Sequence, residues 1–242
     1  MTRRRWIADE VYGNRAALVG AHAHHLVRVL RARVGQEFDV STGSVVRRGR
    51  ITSITQDRVE LELQEEVSQL PLVDITLVLA IFKFDRMEWA IEKCTELGVT
   101  RIFPLISDRT DPHLATAAVK RVERWRRIAH EASEQSRRVA LPEITEPLKL
   151  EHAARLTDGL RIVLSEMETT MTLKNALRLT QQVRKVALAV GPEGGWMSSE
   201  LQRFANLGWI TASLGPTILR AETAAIAGIA VIMSEAQLRP EV

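Results

Sequence analysis

The feature that most constrains this 242-residue chain is a change of hydrophobic period after Leu70-Pro71. Ile75 to Ile81 is a nearly continuous apolar run, as expected of a strand covered on both faces. Asp85 to Leu97 then shows helical spacing, Gly98 stops it, and Arg101 to Ile106 reads as a second strand. The alternation recurs with a long helix near Val119 to Arg138, strand Arg161 to Leu164 and helix Thr172 to Thr180. It continues with strand Val186 to Val190, helix Ser198 to Leu207, strand Ile210 to Leu214 and helix Glu222 to Ala236. Strand and helix in strict alternation predict an α/β domain with a mainly parallel sheet.

Ahead of that point the pattern is different. From His22 to Arg33, Leu26, Val29 and Leu30 fall at helical spacing while Arg28, Arg31 and Arg33 lie off the stripe, so a short helix with a basic side is expected, ended by Gly35. Glu37 to Ser41, Val45 to Ile54 and Arg58 to Gln64 alternate apolar and polar residues, with turns at Thr42-Gly43-Ser44 and Gln56-Asp57. This is a small, mostly β unit. The expected division is residues 1–70 and residues 74–242, with no internal repeat or low-complexity segment to suggest otherwise.

Charge follows the same division. The net charge is only +3, but residues 1–50 hold ten arginines against Asp9, Glu10, Glu37 and Asp39, a local excess of six. Residues 51–70 carry Arg58 against five acids, so the positive field sits at the front, where a nucleic-acid backbone would be met. Between Lys120 and Arg138 seven basic residues face three glutamates, which would extend an RNA track or, as the plainer reading, solvate a helix face. Cys94 is the single cysteine, so no intrachain disulfide forms and a reducing compartment is expected. The opening Met-Thr-Arg-Arg-Arg-Trp lacks the apolar stretch of a secretory signal, and Ala224 to Met233 is too short to span a bilayer. A cytoplasmic protein with no membrane contact is the expectation.

Two glycine-bearing loops carry the candidate chemistry. Strand Val186 to Val190 runs into Gly191-Pro192-Glu193-Gly194-Gly195, after which Ser198 opens a helix with Glu200 close behind. Strand Ile210 to Leu214 runs into Gly215-Pro216-Thr217-Ile218-Leu219-Arg220 and the helix beginning Glu222-Thr223-Ala224. Glycine lets backbone N–H groups approach a ligand, and two such loops at one edge of a parallel sheet suggest a shared pocket. Neither matches the dinucleotide fingerprint or the P-loop. Structurally, the first is equally an ordinary tight turn. Ala221, Ala224, Ala225, Ala227 and Gly228 would permit close packing around that pocket, and would equally form a tight helix interface.

At this point the chain resembles a known family. GPEGG (Gly191 to Gly195) and LGPTILRAETAAI (Leu214 to Ile226) are similar to the 16S ribosomal RNA uracil-N3 methyltransferases of the SPOUT superfamily. HHLVRVLR (His24 to Arg31), DRMEW (Asp85 to Trp89), EKCTELGVTRIFPLISDR (Glu92 to Arg109) and ERWRRIAHEASEQSRR (Glu123 to Arg138) match in the same order. The chain departs from the pattern at Phe84, Arg137, Trp196-Met197 and Ala221.

The resemblance implies an N-terminal PUA-like β-barrel that binds RNA and a C-terminal SPOUT α/β domain whose deep trefoil knot builds an S-adenosylmethionine pocket. It implies a homodimer acting on uridine N3 in the decoding region of 16S rRNA within the small ribosomal subunit, without a metal. Cofactor-binding positions carried over are Leu164, Ser165, Glu166, Gly191, Pro192, Glu193, Gly194, Gly195, Leu214, Gly215, Ile218, Leu219, Thr223 and Ala224. Ile218 and Ala224 would be apolar walls, and Ser165-Glu166 would reach the ribose or amino group, or else form a solvated turn.

Arg220 is the candidate catalytic residue, a cation to favour the deprotonated base; bracing Glu193 or Glu222 is its structural alternative. Candidate RNA contacts are Arg3, Arg4, Arg5, His25, Arg28 and Arg31, with Lys83 and Arg86 near the target base. Read structurally, Lys83, Asp85 and Arg86 are a helix cap with its neighbours. His22, His24 and His25 lack the partners of a metal site. Competing functions are a SPOUT enzyme acting on a ribose 2′-hydroxyl, a non-catalytic RNA-binding assembly factor and a nucleotide-sensing regulator.

Overall fold

A computed structural model describes residues 5–43, 45–67, 73–136, 138–180 and 184–237. They group into two compact units, one reaching Pro71 and including Ser133–Leu141, the other comprising Leu72–Ala132 and Pro142 onward.

In the first unit, strands β1 (Arg5–Ile7), β2 (Glu10–Tyr12) and β3 (Arg15–Val19) precede a short helix, α1 (Ala21–His24). Strands β4 (Glu37–Ser41), β5 (Val46–Ile54) and β6 (Arg58–Glu66) complete a sheet ordered β1-β4-β5-β6-β3-β2. Only β1 and β4 pair in parallel; the other pairings are antiparallel. Alternation buries Val59, Leu61 and Leu63 of β6 with Leu18, Leu26, Val40 and Ile51, and leaves Glu60 and Glu62 on the other face.

The expected helix from His22 to Arg33 is shorter and differently wound. After α1, His25–Val29 is a turn of π-helix, closed by Leu30 N–H donating to the His25 carbonyl at 3.1 Å. Arg31 takes φ +54° and ends it, so Gly35 (φ +90°) belongs instead to the turn before β4. A non-glycine residue in the left-handed region carries strain, which tends to concentrate at functional surfaces.

The second unit runs β7 (Asp74–Ala80), α2 (Phe84–Glu96), β8 (Arg101–Ile106), α3 (Pro112–Ala118) and α4 (Val122–Gln135). It continues with β9 (Glu143–Ile144), β10 (Leu148–Lys149), α5 (Leu150–Arg155), β11 (Leu160–Leu164), α6 (Leu173–Leu177) and β12 (Lys185–Val190). It closes with α7 (Ser198–Asn206), β13 (Ile210–Ala212) and α8 (Ala221–Gln237). The expected single helix from Val119 to Arg138 is two helices joined by a 3₁₀ turn at Val119–Arg121; the first is capped by the Asp111 side chain accepting from His113 N–H, with Pro112 at the next position. Arg137 falls outside the described residues.

All strand pairs of this second sheet are parallel, in the order β10-β8-β7-β12-β11-β13, with β9 beside β8. Ile75, Leu77 and Leu79 point to one face, where Met87 and Ile91 of α2, Trp125 of α4 and Ala225 and Ile229 of α8 cover them. Val78 and Ala80 point to the other, covered by Leu150 and Ala153 of α5 and Phe204 of α7. Burial on both faces explains why these strands read as continuous apolar runs.

Strand order departs from chain order at β11, which lies between β12 and β13. The carboxyl ends of three strands therefore converge, and the loops that follow them meet.

Candidate functional site

Those loops form a solvent-open cleft at the carboxyl edge of the sheet. It is lined by Leu164, Ser165 and Glu166 after β11, Val190, Gly191, Pro192, Glu193, Gly195 and Trp196 after β12, and Ser213, Leu214, Gly215, Thr217, Ile218, Leu219, Ala221 and Ala224 after β13.

Each wall has a local cause. The β12 loop turns tightly, with Gly195 N–H donating to the Pro192 carbonyl at 2.9 Å. Gly195 has φ +70°, which favours glycine, and a Cβ there would have to displace the exposed Glu166 carboxylate. Trp196 is buried, packs against Phe204 with ring centroids 5.1 Å apart, and donates from Nε1 to the Leu164 carbonyl at 2.9 Å. One indole thus fastens the ends of β11 and β12 together.

The remaining walls are tied by backbone. Ser165 N–H donates to the Ala212 carbonyl at 2.9 Å, Leu173 N–H to Ser213 at 2.8 Å, and Ser213 N–H to Met171 at 2.9 Å. Between them, Glu168 accepts from the Thr170 hydroxyl and from the N–H groups of Thr170 and Met171. These bonds, the Thr170 hydroxyl foremost, hold its carboxyl down to about 2.

Of the residues expected to bind cofactor, Gly194 and Thr223 do not line the cleft. The Gly194 carbonyl is turned outward and accepts from Arg109, and Thr223 lies in a separate hollow between α2 and α8 with Trp89, Leu97, Ile226 and Ala227. The other expected positions are all brought to the cleft. Val190, Trp196, Ser213, Thr217 and Ala221 line it as well. Trp196 had been noted only as a departure, and Ala221 as a departure and one of the small residues of the last helix; Val190, Ser213 and Thr217 sit within or beside the two loops already singled out. The small residues of α8 divide by face: Ala221 and Ala224 at the cleft, Ala225 in the core, and Gly228 so close to Leu188 that a Cβ would collide.

Arg220 is exposed, and among the described residues its side chain has no hydrogen bond or ion pair. The bracing role considered for it belongs to Arg86, whose Nη1 is 3.9 Å from Glu193 and whose Nε is 3.9 Å from Glu222. Lys83 is exposed at the start of α2, and Phe84 beside it packs edge-on against Trp125 under the Arg121 guanidinium. In the first unit Arg28 and Arg31 are exposed on the π-turn, His25 stacks edge-on with Trp6, and Arg5 lies in β1. Arg3 and Arg4 lie outside the described residues. His22 is held between Asp9 and Glu134. Among the described residues no group of three or more His, Cys, Asp or Glu is arranged for a metal ion, and no helix is long and apolar enough to cross a membrane.

A family model described as an RNA methyltransferase domain matches residues 68–233, and one described as an RNA methyltransferase PUA domain matches residues 20–64. A ribosomal RNA small subunit methyltransferase E from Synechocystis is 34% identical over 93% of this chain and 74% of its own length. The chain belongs to that family.

Solved relatives agree with the fold. A ribosomal RNA small subunit methyltransferase E from Neisseria gonorrhoeae, crystallised with S-adenosylmethionine, superposes with a TM-score of 0.79 at 29% identity, covering 96% of this chain and 97% of its own. A methyltransferase from Legionella pneumophila, also solved with S-adenosylmethionine, gives 0.75 at 28% identity over 97% and 98% of the two chains. Family membership thus fixes a mixed α/β methyltransferase fold with a PUA-like N-terminal domain, and S-adenosylmethionine as the cofactor.

The cleft fits that group. Its described lining holds two carboxylates, Glu166 and Glu193, and no lysine or arginine. Arg86 stands 3.9 Å from Glu193, and Glu166 is the carboxylate left to face a sulfonium cation.

Proposed function

We propose that this chain transfers the methyl group of S-adenosylmethionine to N3 of a uridine in the decoding region of 16S ribosomal RNA, acting on the small ribosomal subunit in the cytoplasm. The single observation that carries the reading is a cleft walled by glycine loops at the carboxyl ends of three parallel strands, with two carboxylates and no lysine or arginine in its lining. The relatives' printed name supplies the ribosomal RNA, and the motif resemblance supplies uridine N3.

When bound in the cleft, S-adenosylmethionine supplies an electrophilic methyl group. Leu164, Gly191, Leu214 and Leu219 offer backbone groups to it, Ile218 and Ala224 are apolar walls, and Glu166 balances its charge. Gly194 acts at one remove, through the shape of its loop. Arg220 is the cation that steadies the deprotonated uracil; its freedom from any described ion pair leaves it available for that role. The expected result for Arg220→Ala is turnover lowered by about a hundredfold with donor affinity unchanged. Normal turnover with weakened donor binding, measured by calorimetry and single-turnover kinetics, would remove that role.

Residues 1–70 are the RNA-holding domain, a PUA-like β-barrel, and residues 74–242 the methyltransferase domain. Arg3, Arg4, Arg5, His25, Arg28 and Arg31 grip phosphates, and Lys83 and Arg86 face the target base. The deep trefoil knot is carried over from the motif resemblance; the path after β13 lies against the segment following β11, hydrogen-bonded at Ser213 to Met171 and Leu173. A homodimer is supported by the apolar hollow between α2 and α8, where Trp89 is 48% exposed beside Leu97, Ile226 and Ala227.

A further inference from the structure

The glycine loop of the cleft is held from behind by the turn that follows β8. That turn closes on itself, with Thr110 N–H donating to the Ser107 carbonyl and Ser107 N–H to the Thr110 hydroxyl, each at 3.0 Å. From it the Arg109 guanidinium donates to the Gly194 carbonyl and lies with Nε 3.0 Å from the Met197 sulfur. A Cβ on Gly194 would stand 3.4 Å from Arg109 Cδ, so the arginine side chain packs directly over this residue.

A second strut runs beside the first. Glu200 is fully buried, accepting from Asp108 N–H at 2.9 Å through one oxygen and from Met197 N–H at 2.8 Å through the other. Arg203 adds a bond to Asp108, so the β8 turn cannot drift away from α7. Arg109 is therefore anchored at its own backbone and aimed at one peptide.

That peptide lies between two lining residues, Glu193 and Gly195. A trans peptide is planar with C=O and N–H opposed, so drawing the Gly194 carbonyl out toward Arg109 turns the Gly195 N–H inward, where it closes the Pro192 turn. Without a donor outside, only the Gly195 N–H bond to Pro192 restrains that peptide, and the loop is less firmly held against a rotation that would present a carbonyl where it needs an N–H.

We propose that Arg109 is a positioning residue of the methyl-donor site, acting through the orientation of the Gly194–Gly195 peptide. The proposal rests on the cleft being the S-adenosylmethionine site. Arg109 does not line the cleft, so its effect on the donor is indirect.

The test is calorimetric titration of S-adenosylmethionine into the full-length wild type, Arg109→Ala and Arg109→Lys, with melting temperatures measured alongside. Loss of one charge-assisted hydrogen bond to the loop predicts donor binding weakened about tenfold in the alanine variant. Lysine, which reaches the carbonyl as a point charge, is expected to recover binding to within about threefold. Melting temperatures are expected within about 3 °C of the wild type, and turnover at saturating donor within about threefold. Alanine binding the donor as tightly as wild type would overturn the proposal. Equal losses in both variants, accompanied by a large fall in melting temperature, would overturn it too, as the mark of a merely structural contact. A wild type that binds no S-adenosylmethionine would remove the donor-site reading itself, and this inference with it.

Discussion

Arg86 Nε lies 3.9 Å from Oε1 of Glu222, while Oε2 of the same carboxylate is buried with no hydrogen-bond partner among the described residues. The same guanidinium reaches toward Glu193 on the cleft loop, also at 3.9 Å. One cation on α2 thus balances an almost fully buried acid at the start of α8 and an exposed one beside the ligand site.

Arg86→Ala should leave Glu222 uncompensated. With Arg86 itself about one-third exposed, the expected cost is about 1–2 kcal/mol, toward the low end for a buried charge that loses its partner. Thermal melting should fall by about 3–8 °C. Arg86→Met combined with Glu222→Gln should cost less than the two single changes added, because removing both charges leaves neither stranded. Strict additivity would mean that the two residues do not interact.

Gly195→Ala addresses the loop. Its φ of +70° strains any side chain, and a Cβ would displace the Glu166 carboxylate from the cleft wall, so we expect a loss of about 1–2 kcal/mol in stability and donor binding weakened more than about tenfold. Chemical denaturation and calorimetric titration would measure the two separately. An alanine variant that binds the donor normally would show that the loop shape is not required.

Much of this architecture was legible in advance because it rests on local period. The buried strands β7, β8, β11 and β12 are apolar runs closed by turn signals, and α2 ends at Gly98 as expected. The short strands β1, β2 and β3 escaped because three to five mixed residues carry too little periodicity. β9, β10 and α5 escaped for the same reason. The Asp111-Pro112 start of α3 was a signal present but not used.

The site was half legible. Both glycine loops stand out in the sequence, and the cleft they share follows from their position at one sheet edge. What holds the loops does not: Arg109 and Gly194, Trp196 and Leu164, and Arg86 and Glu222 are each brought together across dozens of residues or more. No pattern within a sequence window encodes such pairs. Arg220 drew notice for lying in a loop, while Arg86, not Arg220, pairs with the acids.

Acid should act on the rim of the cleft through Glu168. Its folded carboxyl titrates near 2, below the ordinary 4.5, so the stabilisation it lends is complete above about 4.5 and is lost as pH falls toward 2. The melting difference between wild type and Glu168→Gln should be constant from pH 7 to about 5 and shrink below that. A difference that does not change with pH would show that the carboxylate's bonds to Thr170 and Met171 do not matter to stability.

The most direct measurement is to incubate small ribosomal subunits lacking the modification with the protein and labelled S-adenosylmethionine, then digest the RNA and analyse it by mass spectrometry. Methyl on uridine N3 in the decoding region is the predicted result. Methyl on a ribose hydroxyl or at another site, or no transfer by a protein that binds the donor, would contradict the account.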